Sequence, residues 1–223
     1  MDTLLVINSS GRVTRSITRQ LTQRFAARWQ EIRPNASVIN RDVGLYPPTP
    51  LSEAWIAAAY QAPASPTSDM LLALAESEML ITEIEKADVL IIGAPMYNFG
   101  MPSPLKAYFE QVIRVRRTFD FNPENASSPY RPLLAPKPVL IVTSAGSSGF
   151  EPGGSQADQN FLDAPLRISL SLMGLSDIEF IRVDSSGENQ EQFASSLARA
   201  ERAVDAATGR FEKMPAPQQR ANA

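Results

Sequence analysis

The sequence predicts a doubly wound α/β fold, a five-stranded parallel sheet with helices on both faces. Apolar, β-branched runs such as Val89-Leu90-Ile91-Ile92 and Val139-Leu140-Ile141-Val142 are uninterrupted, as expected of parallel strands covered on both sides. Stretches of helical periodicity alternate with these runs, and each parallel crossover requires such a covering helix. The length of 223 residues, 43% hydrophobic and 20% charged, suffices for one full core.

Thr3-Leu4-Leu5-Val6-Ile7 forms the first strand. Ile17, Leu21, Phe25, Trp29 and Ile32 recur at helical spacing until Pro34-Asn35 stops them. Ser37-Val38-Ile39-Asn40 makes a short second strand, and Tyr46-Pro47-Pro48-Thr49-Pro50 opens a long connection. Within it Ser52 caps a short helix reaching Tyr60, and Pro63 and Pro66 close it. Met70, Leu74, Ile81 and Ile84 mark one amphipathic helix leading to the Val89 strand.

Ser103-Pro104 reads as an N-cap and first-turn pair for a helix with Leu105, Phe109 and Val112 on one face. A proline-rich connection leads to the Val139 strand. Asp163-Ala164-Pro165 starts a helix that Gly174 terminates. Ile178 to Val183 is the fifth strand, and Phe193, Leu197, Ala200 and Val204 mark the last helix. A single domain is expected over residues 1–212, with a flexible Pro-, Gln- and Ala-rich tail at 213–223.

Composition narrows the chemistry. Cys is absent, which removes disulfides, thiolate nucleophiles and thiolate metal sites; His is absent too, which removes Ser-His-Asp catalysis and the commonest zinc ligand. No metal site is expected, and no side chain is expected to act as a catalytic acid or base. A net charge of −3 and a pI near 5.2 argue against a nucleic-acid partner. The amino terminus has no signal-peptide pattern and no run approaches the ~20 apolar residues of a membrane span. A soluble, cytoplasmic protein is the expectation.

Three loops at the carboxyl ends of the first, third and fourth core strands are expected to converge, since ligands of open α/β sheets lie in the crevice there. The first, Asn8 to Thr18, holds a single glycine, so the dinucleotide fingerprint is missing and the flavodoxin-like strand order 2-1-3-4-5 is favoured. Its hydroxyls at Ser9, Ser10, Thr14, Ser16 and Thr18 surround a helix amino terminus, which suits a phosphate. Simple capping by Ser16 or Thr14 is the alternative for this loop taken alone.

The second loop, Met96-Tyr97-Asn98-Phe99, offers backbone amides and the Asn98 amide to the heteroatom edge of a flat ring, with two aromatic faces to flank it. The third, Thr143 to Gly149, is small and polar, so its backbone can approach a ligand closely. Flexible-linker composition is its plainer reading.

Pro-Met-Tyr-Asn-Phe at 95–99, Pro-Ser-Pro-Leu-Lys-Ala-Tyr-Phe-Glu at 102–110 and Arg-Thr-Phe at 117–119 resemble the FMN-dependent NADH:azoreductases, a quinone-reducing branch of the flavodoxin-like superfamily. The resemblance spans nearly the whole chain. It implies that Ser10, Ser16, Ile17 (through its backbone) and Thr18 bind the FMN phosphate. Met96, Tyr97, Asn98 and Phe99 would hold the isoalloxazine ring, met from the third loop by Ser144, Ala145, Gly146 and Ser147. NADH or NADPH would be the electron donor in a two-electron ping-pong hydride transfer, and a quinone or azo compound the acceptor.

The resemblance also implies a homodimer whose partner completes the pocket, with Phe119, Phe121 and Phe161 as substrate-pocket candidates; ordinary core burial is the alternative for each. Arg114, Arg116 and Arg117 would either border the nicotinamide phosphates or form a solvated helix end. Ala145 departs from the family's Thr-Ser-Arg-Gly-Gly pattern by losing the arginine. Two rivals share the fold: an electron carrier of the flavodoxin kind, and a binding module without flavin.

Overall fold

The computed structural model describes residues 2–61, 66–184, 187 and 189–212; the tail expected at 213–223 lies outside the described residues. In chain order the first half runs β1 (Thr3–Asn8), α1 (Ile17–Ile32), β2 (Ser37–Asp42), α2 (Glu53–Gln61), α3 (Ser68–Ala73), α4 (Ala75–Lys86), β3 (Val89–Pro95) and α5 (Ser103–Val112). The second half runs β4 (Phe119–Phe121), β5 (Tyr130–Pro132), β6 (Val139–Ser144), α6 (Asp163–Met173), β7 (Ile178–Val183) and α7 (Gln190–Glu212).

The main sheet has the order β2-β1-β3-β6-β7, parallel throughout. β4 and β5 form a separate antiparallel pair, so the five core strands follow the expected 2-1-3-4-5 pattern. Successive side chains of a strand face opposite ways, and the core divides accordingly. Leu5, Ile7, Leu90, Ile92 and Ile141 join one buried cluster with residues of α4, α5 and α6. Leu4, Val6, Ile91, Leu140 and Val142 join the other, with Leu21, Phe25 and Trp29 of α1 and Val204 and Phe211 of α7. Each such side chain contributes about 1.5–3 kcal/mol when fully buried, against a few tenths for intrinsic propensity. Two-sided burial therefore decides these strands.

Several helix ends follow their sequence signals. The Ser16 side chain accepts from Arg19 N at the start of α1, and Ser52 Oγ accepts from Trp55 N at 3.1 Å before α2. Gly174 ends α6 in the left-handed region at φ 104°. Other details differ. The expected single helix from Met70 is two, α3 and α4, broken at Leu74; α3 buries nothing, and the core face begins at Ser77. Ser103 is the first helical residue of α5 and Pro102 its cap, so the cap lies one residue earlier than expected and no side chain fills it.

The β4–β5 hairpin is the one strand pair the sequence reading lacks. Each strand has three residues, too short for an alternation to register, and cross-strand ring contacts join Phe119 and Phe121 to Tyr130 at 6.1 and 5.4 Å. After the hairpin, Leu134 N donates to Met173 O at the end of α6, where the chain turns toward the start of β7. The hairpin thus sits at the amino-terminal end of the sheet.

Candidate active site

Strand register brings the three loops together. Asn8 stands opposite Gly93 in the β1–β3 pair, and Pro95 opposite Ser144 in the β3–β6 pair. All three strands therefore release their chains at one edge. Gly93 also lets α1 approach the sheet, because an added Cβ would lie 3.2 Å from Thr22 Cγ2 and 3.3 Å from Thr18 Cβ. Asn8 Oδ1 accepts from the Thr22 hydroxyl at 2.8 Å, fastening that contact.

In the first loop, Ser9 is committed to the sheet, its N–H and hydroxyl both donating to Gly93 O. Ser10 is buried, and its Oγ accepts from Arg12 N at 3.2 Å and lies 3.3 Å from Tyr97 OH. Ser16 Oγ sits 3.2 Å from Thr18 Oγ1. Ile17 and Thr18 precede Gln20, whose N–H makes the first intrahelical bond, to Ser16 O. This leaves an anion-suited helix start beside Ser10 and Ser16. Thr14 is exposed and does not cap.

The second loop is a tight turn: Tyr97 N donates to Gly100 O at 2.9 Å and Gly100 N returns to Tyr97 O at 3.0 Å. Its two central residues lie in the left-handed region, Asn98 at φ 48° and Phe99 at φ 67°. That pair of signs defines a type I′ turn, which Asn tolerates and Phe disfavours. The turn holds the Asn98 side chain and the Phe99 ring outward, Phe99 at 47% exposure. Met96 N donates to Ser144 O at 2.8 Å, tying this loop to the third.

An open cleft of about 420 Å³ lies between the second and third loops, lined by Met96, Asn98, Phe99, Gly146, Ser147, Phe150 and Gly187. An added Cβ at Gly146 would meet nothing within 4 Å, so the backbone there faces open space. Ser144 and Ala145 stand outside that lining: Ala145 is buried and its N–H donates to Val183 O at 2.9 Å. Tyr97 connects the cleft to the first loop through Ser10.

Phe161 is 63% exposed, and its N–H donates to Phe99 O at 2.9 Å. It belongs to this edge. Phe119 and Phe121 do not; they sit on the hairpin at the other end of the sheet. Arg114 is buried and bound to Ser77 and Glu78, Arg117 engages Glu78 and Glu85, and Arg116 donates to Ala59 O and Tyr60 O. All three are structural.

Sequence reasoning missed Phe150, Asn160 and Arg19. Phe150 meets the Phe99 ring edge-on at 6.2 Å, and as a lone aromatic inside a small, polar run it carried a readable signal. Asn160 accepts from Leu162 N and Asp163 N and donates to Phe150 O. Nothing in its neighbourhood announces that role. Among the described residues no cluster of acidic, His or Cys side chains could hold a metal ion, and no helix is long and apolar enough to cross a membrane.

A family model described as the flavodoxin-like fold matches residues 2–207. The chain is 47% identical over 205 residues to the FMN-dependent NADH:quinone oxidoreductase of Opitutus terrae, covering 92% of this chain and 96% of that one. It belongs to that oxidoreductase family of the flavodoxin-like fold. The FMN-dependent NAD(P)H:quinone oxidoreductase 1 of Pseudomonas aeruginosa is 38% identical, covering 90% of this chain and 95% of that one. Among solved structures, azoreductase from Bacillus anthracis superposes with a TM-score of 0.83 at 18% identity, over 95% of this chain and all of that one. That last likeness speaks to the shared fold of the family.

Proposed function

We propose that this chain is an FMN-dependent oxidoreductase that uses NADH or NADPH to reduce quinones and azo compounds. The observation that carries the reading is the convergence of the α1 amino terminus, the Tyr97–Gly100 turn and the Gly146-Ser147 backbone on one sheet edge. The names of the relatives, which specify FMN, a nicotinamide and a quinone, support it. FMN supplies the redox chemistry when bound, in two-electron ping-pong hydride transfer.

The residues fit that cofactor. Ser10, Ser16 and Thr18, with the N–H groups of Ile17 and Thr18, would hold the phosphate at the start of α1. Met96, Tyr97, Asn98 and Phe99 would hold the ring together with Gly146 and Ser147, which line the same cleft. Ser144 and Ala145 act from behind, by fixing the end of β6. Backbone and amide donors of these loops would stabilise negative charge on the ring edge. With no His or Cys available, the side chains would orient the ring while solvent delivers protons.

Phe161 borders the acceptor face from within the chain. Phe119 and Phe121 enter the reading only through a second copy, in a homodimer that completes the pocket. We infer a cytoplasmic location, since the reading needs a supply of reduced nicotinamide. Steady-state kinetics with each nicotinamide against a panel of quinones and azo dyes, after loading with FMN, tests the proposal. Turnover that requires FMN and either donor is the expected result. A colourless protein that binds no FMN overturns it.

A further inference from the structure

Arg19 is 7% exposed, an unusual burial for an arginine in the first turn of a helix, where a cation opposes the dipole. Its guanidinium reaches backward into the loop that precedes its own helix. Nε donates to Arg12 O at 2.9 Å, and Nη2 donates to Ser10 O at 2.6 Å and to Asp42 Oδ1 at 2.7 Å. Nη1 donates to Asp42 Oδ2. Four of the five donors of the group are thereby committed to protein oxygens, two of them in a fork on one carboxylate.

Asp42 is itself fixed. It is the last residue of β2, and its Oδ1 also accepts from Leu45 N at 3.0 Å. Between it and Leu45, Gly44 donates its N–H to Asn8 O at 3.0 Å, and an added Cβ there would fall 2.3 Å from Ser10 O. The Ser10 carbonyl is thus gripped between the Arg19 guanidinium and the Gly44 backbone. Its hydroxyl stays turned toward Arg12 N and Tyr97 OH.

We infer that Arg19, held by Asp42, is a positioning residue for cofactor binding: it sets the shape of the Ser10–Arg12 segment so that the loop is preorganised for the phosphate. The inference rests on the proposed phosphate role of that loop. Arg19 acts through the backbone rather than as an ion on the phosphate, since its charge is already matched by Asp42 and its donors are in use. Preorganisation of this kind raises affinity by removing the ordering cost from binding.

FMN and riboflavin differ only in the phosphate, so the ratio of their dissociation constants reads this loop alone. Both are titrated into the flavin-free protein and its Arg19→Gln, Arg19→Lys, Asp42→Asn and Arg19→Gln/Asp42→Asn variants. Arg19→Gln is expected to weaken FMN about tenfold, the scale of a lost charge-assisted bond, with riboflavin affinity unchanged as proof of an intact fold. Arg19→Lys, which keeps charge but not the fork, recovers only part of the loss. Asp42→Asn shifts the ratio in the same direction, and the double variant is no worse than either single one.

An Arg19→Gln variant whose ratio equals that of the parent overturns the inference. So does an Asp42→Asn variant that binds FMN more tightly, because freeing the guanidinium would then be helping a direct phosphate ligand. If the parent protein itself binds FMN and riboflavin equally, the phosphate role of the loop fails, and the inference with it.

Discussion

The N–H of Phe161 donates to the carbonyl of Phe99 at 2.9 Å, joining the turn that lines the cleft to the segment that leads into α6. Asn160 supports this junction from both sides, with its Oδ1 accepting from Leu162 N and Asp163 N and its Nδ2 donating to Phe150 O. One amide therefore holds the turn that enters α6 and anchors the backbone of Phe150, whose ring meets Phe99.

Replacing Asn160 by Ala is expected to cost about 1 kcal/mol of stability through the lost bonds to Leu162 N and Asp163 N and to weaken FMN several-fold. Asn160→Asp separates the two effects, since it keeps the acceptor for the helix but not the donor to Phe150. It should recover the melting temperature and leave the affinity low. Thermal unfolding and FMN titration of both variants check this.

Asn98 has two candidate contributions, its amide and its left-handed backbone. Asn98→Gly preserves the turn at φ 48° and removes the amide. Asn98→Ala removes the amide and strains the turn as well. Both variants are expected to lose roughly tenfold in FMN affinity, the worth of about one hydrogen bond to the ring, and only Asn98→Ala to lose stability too. Undiminished affinity in both would mean the ring does not lie against this side chain.

The Glu78 carboxyl is held below its ordinary value of 4.5 chiefly by its bonds to Arg117, with those to Arg114 adding to the effect against the opposing influence of burial. A carboxylate lowered on folding lends stability that is present above its unfolded value and lost as pH falls through the folded one. Glu78→Gln is therefore expected to reduce stability at neutral pH and to flatten the acid limb below pH 4.5. The loss should be about 1–2 kcal/mol, under the ~3–5 of a fully buried pair, because the Glu78 side chain stays 48% exposed. Glu85→Gln, which weakens an exposed pair with Arg117, should change stability by under about 0.5 kcal/mol. Urea denaturation of the three proteins from neutral to acid pH measures both effects.

The central strands β1, β3 and β6 were legible because they are buried on both faces and therefore continuously apolar, while the partly buried edge strands β2 and β7 carry polar residues; Val139 and Ile178 begin β6 and β7 as read. The Met96–Phe99 loop was legible because aromatics, an amide and flanking prolines have no other reason to meet after a buried strand. What escaped depends on partners distant in sequence. Arg19 looked like an ordinary polar residue of an amphipathic helix, and only the arrival of Asp42 beside it reveals a buried fork. Phe119 and Phe121 gave no strand signal because three-residue strands leave no period to read. Ala145 appeared to face a ligand, yet its N–H belongs to the sheet through Val183.

The central claim, that this chain passes electrons from a nicotinamide to a quinone through FMN bound at the Met96–Phe99 cleft, is tested most directly by separating the two half-reactions. FMN-loaded protein is mixed anaerobically with one equivalent of NADH, and then with one equivalent of a quinone, while the flavin absorbance is followed. Full bleaching by NADH and full recovery on adding the quinone are expected, with both rates falling in Asn98→Gly. Bound FMN that NADH leaves oxidised would contradict the claim.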